Sequence, residues 1–209
     1  MDNPNSRTVI VADGSFPVHE IPLSYLRAAE RIICCDGSAE TLLRSGFVPD
    51  AIVGDMDSLS EGVAIKFADR IFPDDDQETN DLTKSVAWCR NKGYNDLVIV
   101  GATGKREDHT IGNISLLAEY VKDVRVVMVS DTGFFFPLIK AAEISSFTGQ
   151  QISIFSVDSG SEITSTGLRY PLKRKVISNW WQGTLNESLG RSFRLDFTDG
   201  RFIVYQKFR

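Results

Sequence analysis

The chain has few cysteines, no thiolate metal motif, no long apolar run and no basic stripe. It has 209 residues and three cysteines, Cys34, Cys35 and Cys89. The number is odd, two are neighbours on an expected strand, and no C-x-x-C spacing occurs. A disulfide framework is therefore not expected, and the three read as small, reduced core residues. No apolar stretch approaches membrane-spanning length, and residues 1–7 lack the apolar core of a secretion signal. A cytoplasmic protein with no membrane partner is expected. The only tight basic run, Lys173-Arg174-Lys175, is too short to form a stripe, which argues against nucleic acid as a partner. A Walker A loop, G-x-x-x-x-G-K-[ST], is also missing. Of the two histidines, His109 reads as a helix-start residue and His19 points to no role.

Acidic residues are plentiful, and their placement is the strongest signal. The net charge is −5, with a pI near 5.1, in a chain of ordinary globular composition, 42% hydrophobic and 24% charged. Three acidic clusters each follow an apolar run. Ala51-Ile52-Val53 leads into Gly54-Asp55-Met56-Asp57-Ser58. Ile71-Phe72-Pro73 leads into Asp74-Asp75-Asp76-Gln77-Glu78-Thr79-Asn80-Asp81. Leu97-Val98-Ile99-Val100 leads into Gly101-Ala102-Thr103-Gly104-Lys105-Arg106-Glu107-Asp108-His109. In open α/β sheets, ligands bind outside the carboxyl ends of the strands. Carboxylates gathered there repel one another unless a cation joins them, and hard oxygen ligands suit Mg²⁺ or Ca²⁺. A Mg²⁺-dependent enzyme acting on a nucleotide is the first expectation.

The patterns divide the chain. Strands are expected over residues 8–12, 31–35, 51–53, 96–100 and 124–129. Helices are expected over 23–30, 39–45, 61–69 and 80–92, and from Ile111 to Val121. Alternation of this kind indicates a mostly parallel, Rossmann-like sheet. Beyond Asp131 only short apolar runs separated by turn residues remain, which indicates a small all-β sandwich or barrel. The boundary is set at residues 133/134. Phe193 to Phe197 and Phe202 to Tyr205 are expected to pair as a hairpin through Thr198-Asp199-Gly200.

Within the clusters, extended geometry would place Asp55 and Asp57 on one face with Met56 turned inward. Ser58 is placed to cap the helix from Glu61. Asp81 and Lys84, three apart, share a helix face: Asp81 can hold the metal and Lys84 can meet a phosphate. Arg106 suits bidentate phosphate contact, and Asp108 can orient Arg106 or a ribose.

Taken together and in order, five segments resemble the thiamine pyrophosphokinase family. They are Cys35 to Ala39, Pro49 to Ser58, Asp76 to Lys84, Gly101 to Asn113 and Gly167-Leu168-Arg169-Tyr170-Pro171-Leu172. The resemblance implies an N-terminal ATP-binding α/β domain, a C-terminal thiamine-binding and dimerisation β domain, and a homodimer with active sites at the subunit interface. It implies transfer of the pyrophosphoryl group of ATP to thiamine, leaving AMP. Carried over, Asp55, Asp57 and Asp81 correspond to the Mg²⁺ site. Asp36, Gln77, Asn80, Lys84, Arg106 and Asp108 correspond to ATP contacts. Lys105 departs from the family's Gly-Gly-Arg. For thiamine, the segment Gly183-Thr184-Leu185-Asn186-Glu187 fits the family spacing, although Leu185 replaces a serine. Asn186 and Thr184 are the thiamine-site candidates, and Asn179 is the alternative asparagine. Trp181 offers an aromatic face for a flat cation. An aspartyl-phosphate phosphatase and an ATP-sensing module without turnover are the competing readings.

Overall fold

The computed structural model describes residues 7–209. Most of the polar N-terminal segment considered above lies outside the described residues. The chain divides into two compact units: residues up to 116 together with 123–131, and residues 117–122 together with 132–209.

The first unit is built on six parallel strands: β1 (Thr8–Val11), β2 (Arg31–Cys35), β3 (Ala51–Gly54), β4 (Ile71–Pro73), β5 (Asp96–Val100) and β6 (Arg125–Val129). Their order is β4-β3-β2-β1-β5-β6. β1 pairs in parallel with β2 on one side and with β5 on the other. Chain direction across the sheet therefore reverses beside β1, which opens a crevice at the carboxyl ends of β1 and β5. The inner strands β1, β2, β3 and β5 are short, mostly Val/Ile runs buried on both faces as parallel strands require, whereas the edge strand β4 is only partly covered.

Five helices join these strands: α1 (Glu20–Arg27), α2 (Ala39–Arg44), α3 (Glu61–Lys66), α4 (Asp81–Asn91) and α5 (Glu107–Tyr120). α1 begins three residues earlier than expected because His19 caps it. The His19 Nδ1 accepts the Ile21 N–H at 3.1 Å. Pro22 in the first turn does not interrupt the helix, because its missing N–H would have had no intrahelical partner. α3 is shorter than expected and gives way to a 3₁₀ turn at Ala68–Arg70. Its cap position is held by Ser60, without a side-chain bond. Ser58 does not cap it: the Ser58 hydroxyl donates to Asp57 Oδ1 at 2.9 Å. α4 matches its expected span, with Asn80 at the cap accepting the Thr83 N–H at 2.9 Å.

The second unit is a two-sheet antiparallel sandwich. One sheet contains β7 (Gly133–Leu138), β14 (Phe202–Lys207), β9 (Gln151–Ser156) and β12 (Asn186–Glu187), adjacent in that order. The other contains β8 (Ala142–Ser145), β13 (Ser192–Asp196), β10 (Glu162–Thr166) and β11 (Lys175–Val176). Ile152, Ile154, Ile163, Phe193, Leu195, Phe202 and Val204 fill the space between them.

The expected hairpin of the last two strands does not form. β13 pairs with β8 and β10, and β14 pairs with β7 and β9. The turn at Thr198-Asp199-Gly200 carries the chain from one sheet to the other. Both strands direct apolar side chains into the same core, here from facing sheets. The Phe197 and Phe202 rings, 4.6 Å apart, pack across the crossing.

Candidate active site

The carboxyl ends of β1, β2, β3 and β5 converge on a cleft of about 460 Å³ in the first unit. Asp13 and Gly14 follow β1, Asp36 follows β2, Asp55 and Asp57 follow β3, and Gly104 to Arg106 follow β5. Asn80, Asp81, His109 and Asn113 from the starts of α4 and α5 complete its wall.

Asp36, Asp55 and Asp57 each offer a carboxylate oxygen within 4.8 Å of the others, a grouping that can hold a metal ion. Asp36 is 2% exposed. Its Oδ1 accepts the Gly37 N–H at 2.7 Å, while its Oδ2 is buried with no hydrogen-bond partner among the described residues. Burial pushes its carboxyl above the ordinary aspartate range, as do the charges of Asp81 and Asp55. A buried oxygen left without a donor, beside two further carboxylates, is a fit for a hard divalent cation. Gly54 makes room for the Asp36 carboxyl, since a Cβ there would lie 2.8 Å from Asp36 Cγ.

Asp55 and Asp57 are not brought together by an extended strand, as the sequence suggested. β3 ends at Gly54, and Met56 adopts a left-handed φ of 70°. The chain folds back so that the Asp57 N–H donates to Asp55 Oδ1 at 3.2 Å. That N–H is the leading influence that lowers the Asp55 carboxyl, with the Lys84 charge adding to it.

Lys84 is 3% exposed. Its Nζ lies 3.3 Å from Asp81 Oδ1 and 3.8 Å from Asp55 Oδ2. Burial alone would push the ammonium down. The hydrogen bond to Asp81 and the charges of Asp81, Asp55 and Asp74 outweigh it and hold the group above the usual lysine range. Lys84 is thus a buried cation placed between two carboxylates, and Asp81 bonds to it outside the Asp36–Asp55–Asp57 grouping.

Arg106 is fixed differently. Its Nε and Nη2 donate to the two oxygens of Asp108 at 3.1 and 2.5 Å. This hydrogen bond pulls the Asp108 carboxyl down to about 2. The guanidinium remains exposed at the cleft wall. Asn80 donates to Asn113 Oδ1 at 3.3 Å, and Asn113 donates to the Ala102 carbonyl at 3.0 Å, which ties α4 to the loop after β5. Gln77 sits in the exposed loop before α4, where its amide donates to the Asp75 carbonyl. Asp13, Lys105 and Asn113 also line the cleft, though sequence reasoning gave them no role. The signal for Asp13 was its place at the end of a buried strand. The three cysteines are buried and unpaired, and burial pushes the Cys34 and Cys89 thiols up to about 12.

In the second unit, Asn186 is buried and hydrogen-bonded through both its amide nitrogen and its oxygen. Its amide donates to the Tyr170 carbonyl at 2.7 Å, and its oxygen accepts the N–H groups of Tyr170 and Glu187. Asn179 caps the 3₁₀ turn Trp180–Gly183 in a capping box with Gln182. The Thr184 hydroxyl donates to the Trp181 carbonyl at 2.8 Å. Trp180 is anchored through its indole N–H to the Ser156 carbonyl, whereas Trp181 is 70% exposed.

A parallel α/β unit with carboxylates, a buried lysine and a held arginine at its switch-point edge defines the catalytic domain of a phosphate-handling enzyme. Residues 23–128 match the family model for the thiamin pyrophosphokinase catalytic domain, and residues 133–205 match that for the thiamin pyrophosphokinase substrate-binding domain. The chain belongs to the thiamine pyrophosphokinase family and is an enzyme of that type. It is 31% identical over 188 residues to thiamine pyrophosphokinase 1 of Oryza sativa subsp. japonica, covering 75% of this chain and 70% of that protein. It is 31% identical over 177 residues to thiamine pyrophosphokinase of Bacillus subtilis, covering 80% and 79% of the two chains. The fold matches a crystal structure of thiamine pyrophosphokinase from Bacillus subtilis with a TM-score of 0.81 at 23% identity, over 96% of this chain and 98% of that one. No helix among the described residues is long and apolar enough to cross a membrane.

Proposed function

We propose that the first unit binds ATP with Mg²⁺ at the Asp36–Asp55–Asp57 grouping and transfers the pyrophosphoryl group to thiamine. The observation that carries this reading is the buried Asp36 oxygen without a hydrogen-bond partner among the described residues, on a carboxylate grouped with those of Asp55 and Asp57. A bound Mg²⁺ would draw together the phosphate oxygens and offset their charge. The remaining work falls to the protein's own groups.

Arg106, already held by Asp108, donates to a phosphate oxygen with little reorganisation. Lys84 keeps Asp55 and Asp81 at fixed positions. The thiamine hydroxyl oxygen forms a bond to the β-phosphorus. The bond from that phosphorus to the oxygen shared with the α-phosphorus breaks, and its electron pair leaves on AMP. Asp81 was read from sequence as a metal ligand. It lies outside the three-carboxylate grouping, so in this reading it is not a metal ligand but takes the thiamine hydroxyl proton, and the Lys84 ammonium 3.3 Å away fixes its position without adding to its basicity.

The second unit supplies the thiamine pocket in this reading. Trp181 offers an open aromatic face to the flat, cationic substrate, and Asn186 holds the Tyr170 segment rather than reaching outward. A homodimer with shared active sites is part of the proposal. Tyr170, Trp181, Leu185 and Leu189 are all exposed along segments that hydrogen-bond to one another, a surface suited to a second copy. The cytoplasm, expected from sequence, would supply the ATP.

The test is to incubate the protein with thiamine, Mg²⁺ and ATP labelled in the β- and γ-phosphates. One AMP per thiamine diphosphate, with both labels transferred, is the expected result. ADP as the product, or AMP release that does not depend on thiamine, would overturn it.

A further inference from the structure

Two loops form one wall of the cleft and are joined backbone to backbone. The Gly14 N–H donates to the Gly101 carbonyl at 2.6 Å, and the Ser15 N–H donates to the Thr103 carbonyl at 2.8 Å. Lys105 ends this wall. It is not a glycine, yet its φ is 55°, in the left-handed region that L side chains disfavour. Its ammonium lies 2.7 Å from Asp13 Oδ1, across 92 residues of sequence. Strain of this kind persists when the surroundings impose it, and it concentrates at ligand-binding sites.

The charges of the cleft sharpen the point. Asp13, Asp55, Asp57 and Asp81 line it, so a polyphosphate would meet repulsion. Lys84 is buried and placed between two carboxylates, and it does not line the cleft. Among the lining residues, the lysine and arginine cations are Lys105 and Arg106. Both hold their charge on an aspartate, but in different geometries. Arg106 has a two-oxygen grip on Asp108 and donors to spare. Lys105 makes a single contact, half-exposed on both sides, which is weak and exchangeable.

We propose that Lys105 is a second phosphate-binding residue of this cleft, held in position by Asp13 and transferred from that carboxylate to a phosphate oxygen of the bound nucleoside triphosphate. The left-handed backbone turns the Lys105 side chain back along the wall, and Asp13 keeps the flexible stem from sampling solvent. Binding exchanges one anionic partner for another, so the ammonium is never left without one. The proposal rests on reading the cleft as the ATP-phosphate site.

The experiment measures Kd for ATP, with Mg²⁺, by titration calorimetry on the full chain, alongside melting temperature. Lys105→Met should weaken ATP by about tenfold, as expected for loss of a charged hydrogen bond. Lys105→Gly, the family's residue, should weaken ATP similarly while melting no lower than the parent, because it relieves the φ strain. Lys105→Arg should retain most of the affinity. Asp13→Asn should tighten ATP, and that gain should shrink when Lys105 is already Met, which is the coupling a partner exchange requires. Arg106→Met serves as the control for the cleft itself. If it weakens ATP while Lys105→Met and Lys105→Gly stay within twofold of the parent, Lys105 is a surface latch and the proposal is wrong. If Arg106→Met also binds ATP normally, the cleft reading falls, and the proposal falls with it.

Discussion

Asp36 is 2% exposed, with one carboxyl oxygen on the Gly37 N–H and the other buried without a partner among the described residues. Its ionised form is therefore disfavoured in the protein alone, and its carboxyl is raised. A raised folded-state value means that stability falls as pH climbs from the ordinary aspartate range through the folded value. Asp36→Asn removes that penalty. Its melting temperature should exceed the parent's by about 2–4 °C at neutral pH, roughly what 1 kcal/mol gives in a chain of this size. The gain should shrink as pH is lowered through the folded value, and calorimetry across pH checks it. Activity should be lost in the same variant. Lys84 makes the converse case, since it stabilises charges already present. Lys84→Met leaves Asp55 and Asp81 facing each other without their cation, and kcat/KM should fall about 10²- to 10³-fold. Steady-state assays with folding checked by circular dichroism decide this. At this scale the sequence showed which residues end strands, but not how the loops turn. Met56 at a left-handed φ brings Asp55 and Asp57 together, and no residue pattern announces that conformation in a methionine. Lys84 shares a helix face with Asp81 as expected, but its burial depends on β2 and β3 packed against α4.

Elements with a single unambiguous period were legible: the buried Val/Ile strands and α4, with Asn80 at its cap and Gly93 at its end. The last two strands were misjudged as a hairpin because the Asp199-Gly200 turn fits one. The decision belongs to the core, which needs Phe193 and Leu195 on one sheet opposite Phe202 and Val204 on the other. The asparagines of the second unit show the same limit. Asn186 lies buried in β12 and completes the hydrogen bonding of Tyr170, whereas Asn179 caps an exposed turn. Asn186→Ala should destabilise by about 1–3 kcal/mol, since it strands buried backbone groups, and should raise KM for thiamine with little change for ATP. Asn179→Ala should cost about 1 kcal/mol as a lost cap and leave KM for thiamine near the parent's. Chemical denaturation and substrate titrations of the two variants test this order.

For the molecule as a whole, the change of texture near Asp131 was readable because helical periodicity stops there. That residues 117–122 group with the second unit was not readable, because they continue the period of α5 without interruption. The proposed homodimer makes a prediction at this scale. Asp57→Asn protomers mixed with Trp181→Ala protomers should regain part of the lost activity, since one shared site inherits two intact halves. Sedimentation of each variant shows whether dimers persist, and failure despite proven subunit exchange would mean that each chain builds its own site. In the proposed function, Asp36, Asp55 and Asp57 gather a divalent ion at the carboxyl edge of the parallel sheet. Mn²⁺ binding, followed by the loss of its free electron paramagnetic resonance signal with and without ATP, tests it most directly. The parent should bind Mn²⁺, and binding should be strongly weakened in both Asp36→Asn and Asp57→Asn, each still folded. Parent-like Mn²⁺ binding in both variants would contradict it.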